Sequence, residues 1–158
     1  MTRTLTLLLL ALSAPAWSAE PLKYLALVDG GKQAGQLVVD REGGDTVRTD
    51  FIFKDNGRGP ELKEEYTLTE DGTFASYRVT GTSTFGAKID ETFRIADGKA
   101  SWKSMSDEGE QSVSGGAQYA PLGGTPQAFS VAMTALAKRK DGKLPLIPSG
   151  ALTMLREM

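Results

Sequence analysis

Turn signals recur about every dozen residues along this chain, and between them apolar residues alternate with polar ones. Asp29-Gly30-Gly31, Glu42-Gly43-Gly44-Asp45, Asp71-Gly72, Gly86 and Asp97-Gly98 mark the turns. Val47, Thr49, Phe51 and Phe53 alternate with Arg48, Asp50 and Lys54. Leu62, Glu64, Tyr66 and Leu68 alternate with Lys63, Glu65 and Thr67. Period two places each set on one face of a half-buried strand. Segments this short do not form a βαβ pattern. The expectation is a mainly β (α+β) domain: an antiparallel meander, curved into an open sheet or half-barrel, with one C-terminal helix packed on it.

Further strands are expected at 22–28, 35–41, 73–85, 87–95 and 99–105, with Gly81 as a bulge or bend. Arg78 is in phase with Phe74 by simple alternation. From 106 to 124 the pattern weakens, leaving one short strand around 111–114. Thr125-Pro126 then reads as an N-cap followed by proline at the first helical position. Phe129, Ala132, Met133 and Leu136 come next at helical spacing, and Lys138-Arg139-Lys140 suit the negative end of a helix dipole. This predicts a helix over about 127–140. Pro145 and Pro148 interrupt the segment after the helix, and 150–158 begins like another strand. That ending fits either a closing edge strand or a piece of a longer protein.

Residues 1–19 read as an export leader, with Arg3, the apolar run Leu5–Leu12 and small residues up to Ala19. The apolar run is too short to span a bilayer, so no stable membrane insertion is expected after its removal. The remaining single domain, 20–158, would be periplasmic or secreted. It has no cysteine, so no disulfide supports it and no thiolate or lipid-bearing cysteine exists. It has no histidine either, which removes Ser-His-Asp chemistry and nitrogen- or sulfur-ligated zinc. No metal or cofactor is expected in this chain. A net charge of −2 without a basic stripe argues against nucleic acid.

Candidate site residues cluster around one loop, Phe53-Lys-Asp-Asn-Gly-Arg-Gly-Pro60. It holds Asn56, the single asparagine, and Arg58 between two glycines. Asp55-Asn-Gly-Arg-Gly59 has the D-x-G-x-G spelling of a nucleotide loop, but the context of that motif is absent. Glu64 and Glu91 are each in phase with apolar neighbours, so each would face an apolar sheet surface and need partners. One reading is a polar pocket in which Arg58, Asn56, Glu64, Glu91 and Arg78 hold an anionic ligand. The plainer reading is that a bulge shifts the register, or that the glutamates lie at the open rim.

The stretches Phe53–Tyr66 and Ser76–Phe93 resemble the exported, β-rich N-terminal region of certain bacterial amidohydrolase-family proteins, and the likeness runs through the whole mature chain. In that family a metal-dependent hydrolase barrel comes next, its metal site built on histidines that begin with His-x-His. This chain contains none of those residues, so no catalytic role carries over. The resemblance implies a non-catalytic accessory domain whose partner is a downstream barrel of the same precursor. The other reading is a stand-alone periplasmic binding module that holds an apolar or anionic small molecule on the concave sheet face.

Overall fold

A computed structural model describes residues 20–41, 44–113 and 115–155. The leader, part of the 42–45 turn and the last three residues lie outside the described residues. Eight strands form one antiparallel meander in sequence order: β1 (Leu22–Val28), β2 (Lys32–Asp40), β3 (Val47–Phe53), β4 (Glu61–Leu68), β5 (Phe74–Thr82), β6 (Lys88–Ala96), β7 (Lys99–Lys103) and β8 (Glu108–Ser112). The sheet is curved and not closed. A second sheet holds β9 (Gln118–Tyr119), β10 (Lys143–Ile147) and β11 (Ala151–Thr153), with β10 in the middle. One helix, α1 (Pro126–Ala137), connects β9 to β10.

Alternation decides the faces. The convex side of the large sheet carries cross-strand ion pairs: Arg48–Glu65, Lys63–Asp50, Arg78–Asp90, Lys99–Glu110 and Lys103–Glu108. Such exposed pairs add little stability, but they keep that face in water. The concave side carries Leu37, Val39, Leu62, Tyr66, Phe74, Tyr77, Val79 and Phe93, all buried. Tyr119 from β9 stacks on Phe93 with ring centres 4.4 Å apart, while Tyr77 lies edge-tilted to both Phe74 and Tyr119. Ala128 and Val131 of α1 complete this core, and Ala135, Leu136 and Leu144 form a smaller cluster beside it.

The register of the large sheet shifts at two places, the first between Ala26 and Leu27 in the β1–β2 pair, where Ala34 is an extra residue on β2. The second lies between Thr67 and Leu68 in the β4–β5 pair, where Ala75 is an extra residue on β5. Phe74 faces inward, but beyond the bulge the inward residues are Tyr77 and Val79, and Arg78 turns out to solvent. Gly81 is not the bulge. It pairs in register with Leu62 and Ile89, and a Cβ there would come within 2.0 Å of the Glu61 carbonyl oxygen.

The C-terminal third shows the other differences. The helix ends at Ala137, so Lys138 is the C-cap and Arg139 and Lys140 lie beyond the last turn. Phe129 is 64 % exposed, whereas Ala128, Val131, Ala132, Ala135 and Leu136 form the buried face. Small residues on that face let the helix sit close to the sheet. Pro145 does not end a strand: it pairs with Ala151 in the β10–β11 hairpin. The weak region contributes β8 at 108–112, slightly earlier than expected, and the two-residue β9.

Candidate functional site

The site begins with a hairpin. Asp55 and Arg58 exchange both backbone hydrogen bonds, at 2.8 and 3.0 Å, across the two-residue turn Asn56-Gly57. Both turn residues have positive φ, 50° and 77°, the type I′ geometry that asparagine and glycine tolerate best. This turn fixes the β3–β4 register, and the register puts Thr49 opposite Glu64. Continuing across the sheet, Glu64 faces Val79, and Val79 faces Glu91. One concave row therefore runs Leu22, Val39, Thr49, Glu64, Val79, Glu91. The two glutamates are two strand spacings apart, roughly 9–10 Å.

Both carboxylates are buried, with Glu64 3 % and Glu91 2 % exposed. Burial of that kind requires dedicated donors. One Glu64 oxygen accepts from the Tyr77 hydroxyl at 2.7 Å and the Thr125 backbone N–H at 2.6 Å. The other accepts from the hydroxyls of Thr49, at 3.0 Å, and Thr125, at 2.7 Å. Two donors on each oxygen use the acceptor capacity of the group. Thr125 is the N-cap of α1, its hydroxyl also accepting from the Gln127 N–H at 3.0 Å. The Glu64 charge thus sits at the positive end of the helix dipole. Glu91 accepts from the Tyr119 hydroxyl at 2.6 Å and from the backbone N–H groups of Leu122 and Gly123 at 3.0 and 3.2 Å.

The arrangement is a double clasp. Glu91 holds the chain after β9 against the sheet, and Glu64 holds the start of α1. Burial and the neighbouring carboxylates push the Tyr77 and Tyr119 phenols upward, with burial the larger cause in both. Burial also raises Tyr66, whose hydroxyl accepts from the Gln127 side chain at 3.0 Å. These phenols stay neutral and act as donors or acceptors, not as bases.

The expected pocket does not assemble. Glu64 and Glu91 come to one face, in phase as alternation places them, and the bulges that shift register lie on β2 and β5 instead. Arg58 and Asn56 are exposed at the hairpin tip, and among the described residues neither hydrogen-bonds to Glu64. Arg78 is on the convex face with Asp90. No cation reaches either glutamate among the described residues; hydroxyls and backbone N–H groups compensate them. Thr49, Tyr77, Tyr119 and Thr125 complete the network, a role that sequence reasoning missed. The Asn56-Gly57 hairpin signal was sufficient to find Thr49, since it sets the register. Tyr119 and the 122–123 amides arrive from distant segments and leave no local signal. No group of histidine, cysteine, aspartate or glutamate side chains suited to a metal occurs among the described residues.

A separate cleft of about 380 Å³ opens beside the N-terminus of α1, between Tyr24, Leu37, Phe51, Pro126 and Gln127. Tyr24, Leu37, Phe51 and Pro126 make much of its wall apolar. Neither glutamate lines it.

No family model, curated protein or solved structure matches the chain.

Proposed function

We propose that the chain is a non-catalytic accessory domain of an exported amidohydrolase-like protein, with the reacting groups supplied by a downstream barrel. The observation that carries this reading is the engagement of both buried carboxylates by internal donors, four on Glu64 at the start of α1 and three on Glu91 from Tyr119, Leu122 and Gly123. Carboxylates held this way fasten a fold and are not free to move a substrate proton. The concave face is filled by the chain's own aromatic residues and helix, which speaks against a ligand held across it. Exposed apolar residues gather at the end of the sheet that carries the 83–87 and 104–107 turns. Phe85 is 86 %, Met105 65 % and Leu122 70 % exposed there. That rim is the surface the proposal assigns to a neighbouring domain.

The test is the size of the native product. An antibody raised against residues 20–155 should detect a protein several times longer than 158 residues in the exported fraction of the source cells. A band at 158 residues or fewer sinks the accessory-domain reading. It would favour the second one, a stand-alone module holding a small apolar molecule, for which the Tyr24–Phe51–Pro126 cleft is the supporting observation.

A further inference from the structure

The two edges of the large sheet are built differently. The β8 edge is short and polar, with Glu108 and Glu110 tied to Lys103 and Lys99. Charges and short length are how sheets protect an edge from pairing. The β1 edge has seven residues, Leu-Lys-Tyr-Leu-Ala-Leu-Val, and one charge. Leu22, Tyr24, Leu25 and Leu27 are 52, 53, 59 and 59 % exposed. Among the described residues β1 is terminal in the sheet, and no described strand lies beside the outer side of its backbone. A long apolar strand at an open edge is a template for another strand.

We infer that β1 is an interface for a second copy of this chain, paired antiparallel about a two-fold axis at Leu25. The sequence of β1 is complementary to itself in that register. Leu22 meets Val28 and Tyr24 meets Ala26 on the concave side; Leu25 meets its own counterpart and Lys23 meets Leu27 on the convex side. No like charges stand opposite each other. Asp29, exposed at the first position of the 3-10 turn that follows the strand, comes to lie near Lys23 of the other copy, whose long side chain can reach it. Symmetry produces that ion pair twice, one at each end. A slip by one residue puts concave residues against convex ones and loses both pairs. The result is a continuous sixteen-stranded sheet with both polar β8 edges outermost, the number coming from two copies of the eight-stranded sheet. This interface is independent of the rim assigned above and of the accessory-domain reading.

Analytical ultracentrifugation of the purified protein, its N-terminus read by mass spectrometry, tests the inference. A contact made by one strand pair is at the small end of specific interfaces, so a concentration-dependent monomer–dimer equilibrium is expected. Leu25→Lys places two ammonium groups opposite each other and should leave only monomer, with an unchanged circular dichroism spectrum. Lys23→Glu should weaken the dimer at least several-fold, and adding Asp29→Lys should restore it. Because the chain lacks cysteine, Leu25→Cys should give a disulfide-linked dimer on mild oxidation, and Leu27→Cys, facing Lys23, should not. Monomer at all concentrations overturns the inference. So does a dimer indifferent to Leu25→Lys, or equal cross-linking by the two cysteine variants.

Discussion

Replacing Glu64 separates a carboxylate that fastens the fold from one kept for chemistry. In Glu64→Gln the amide must place its NH2 where one carboxylate oxygen was. One of the two oxygens faces a backbone N–H, from Thr125, which cannot turn round; the other faces only the hydroxyls of Thr49 and Thr125, which can. The amide therefore keeps its oxygen on Tyr77 and the Thr125 N–H and donates to hydroxyls. Four charge-assisted bonds become neutral ones, partly offset by removal of a buried charge, so about 1–2 kcal/mol is lost. Glu64→Ala removes every acceptor, strands the Thr125 N–H and opens a cavity under α1, costing about 3–5 kcal/mol. For a domain of this size the alanine variant should melt roughly 10 °C lower. Urea denaturation followed by Trp102 fluorescence and far-ultraviolet circular dichroism measures both variants. Glu64 is not a clasp if Glu64→Ala costs under about 1 kcal/mol, or if either variant is more stable than the parent, as relief of a functional carboxylate would make it.

Two further expectations concern the tyrosines and the hairpin. Tyr66, Tyr77 and Tyr119 all have phenols raised above the ordinary value of 10.0 by burial. Their contribution to stability is complete below about pH 10, where the unfolded chain still holds its phenolic protons, and falls as pH rises towards the folded values. Ultraviolet titration should show these three phenols ionising only together with unfolding; ionisation at pH 10 in a fully folded protein would contradict the buried network. At the hairpin tip, Arg58→Ala should change stability by no more than about 0.5 kcal/mol, since the side chain is exposed. Gly57→Ala should cost about 1 kcal/mol through its φ of 77° alone, because a Cβ there meets nothing within 4 Å. Thermal denaturation of the pair decides it, and equal effects would refute the type I′ assignment.

The meander was legible because its cause is local. Alternation and turn chemistry act over a few residues, so β1 and β3 are found at the expected positions and Thr125-Pro126 starts the helix as its capping chemistry requires. The inward phase of Glu64 and Glu91 comes from the same alternation. Arg78 escaped it, because one extra residue at Ala75 reverses every side chain beyond it. Phe129 escaped it too: helical spacing alone does not say which side of a short apolar helix meets the sheet, and close packing selected the alanine-rich side.

By itself, then, the sequence determined an open antiparallel sheet with a capped helix after it, and the absence of histidine and cysteine chemistry. What the glutamates do was decided only by tertiary structure. A carboxylate in an apolar row is equally a binding group or a fastening, and the difference lies in which donors reach it. Here they come from Thr125, 61 residues along the chain from Glu64, and from Tyr119, 28 residues from Glu91. Contacts over such separations depend on how the whole chain closes, and no local pattern encodes them.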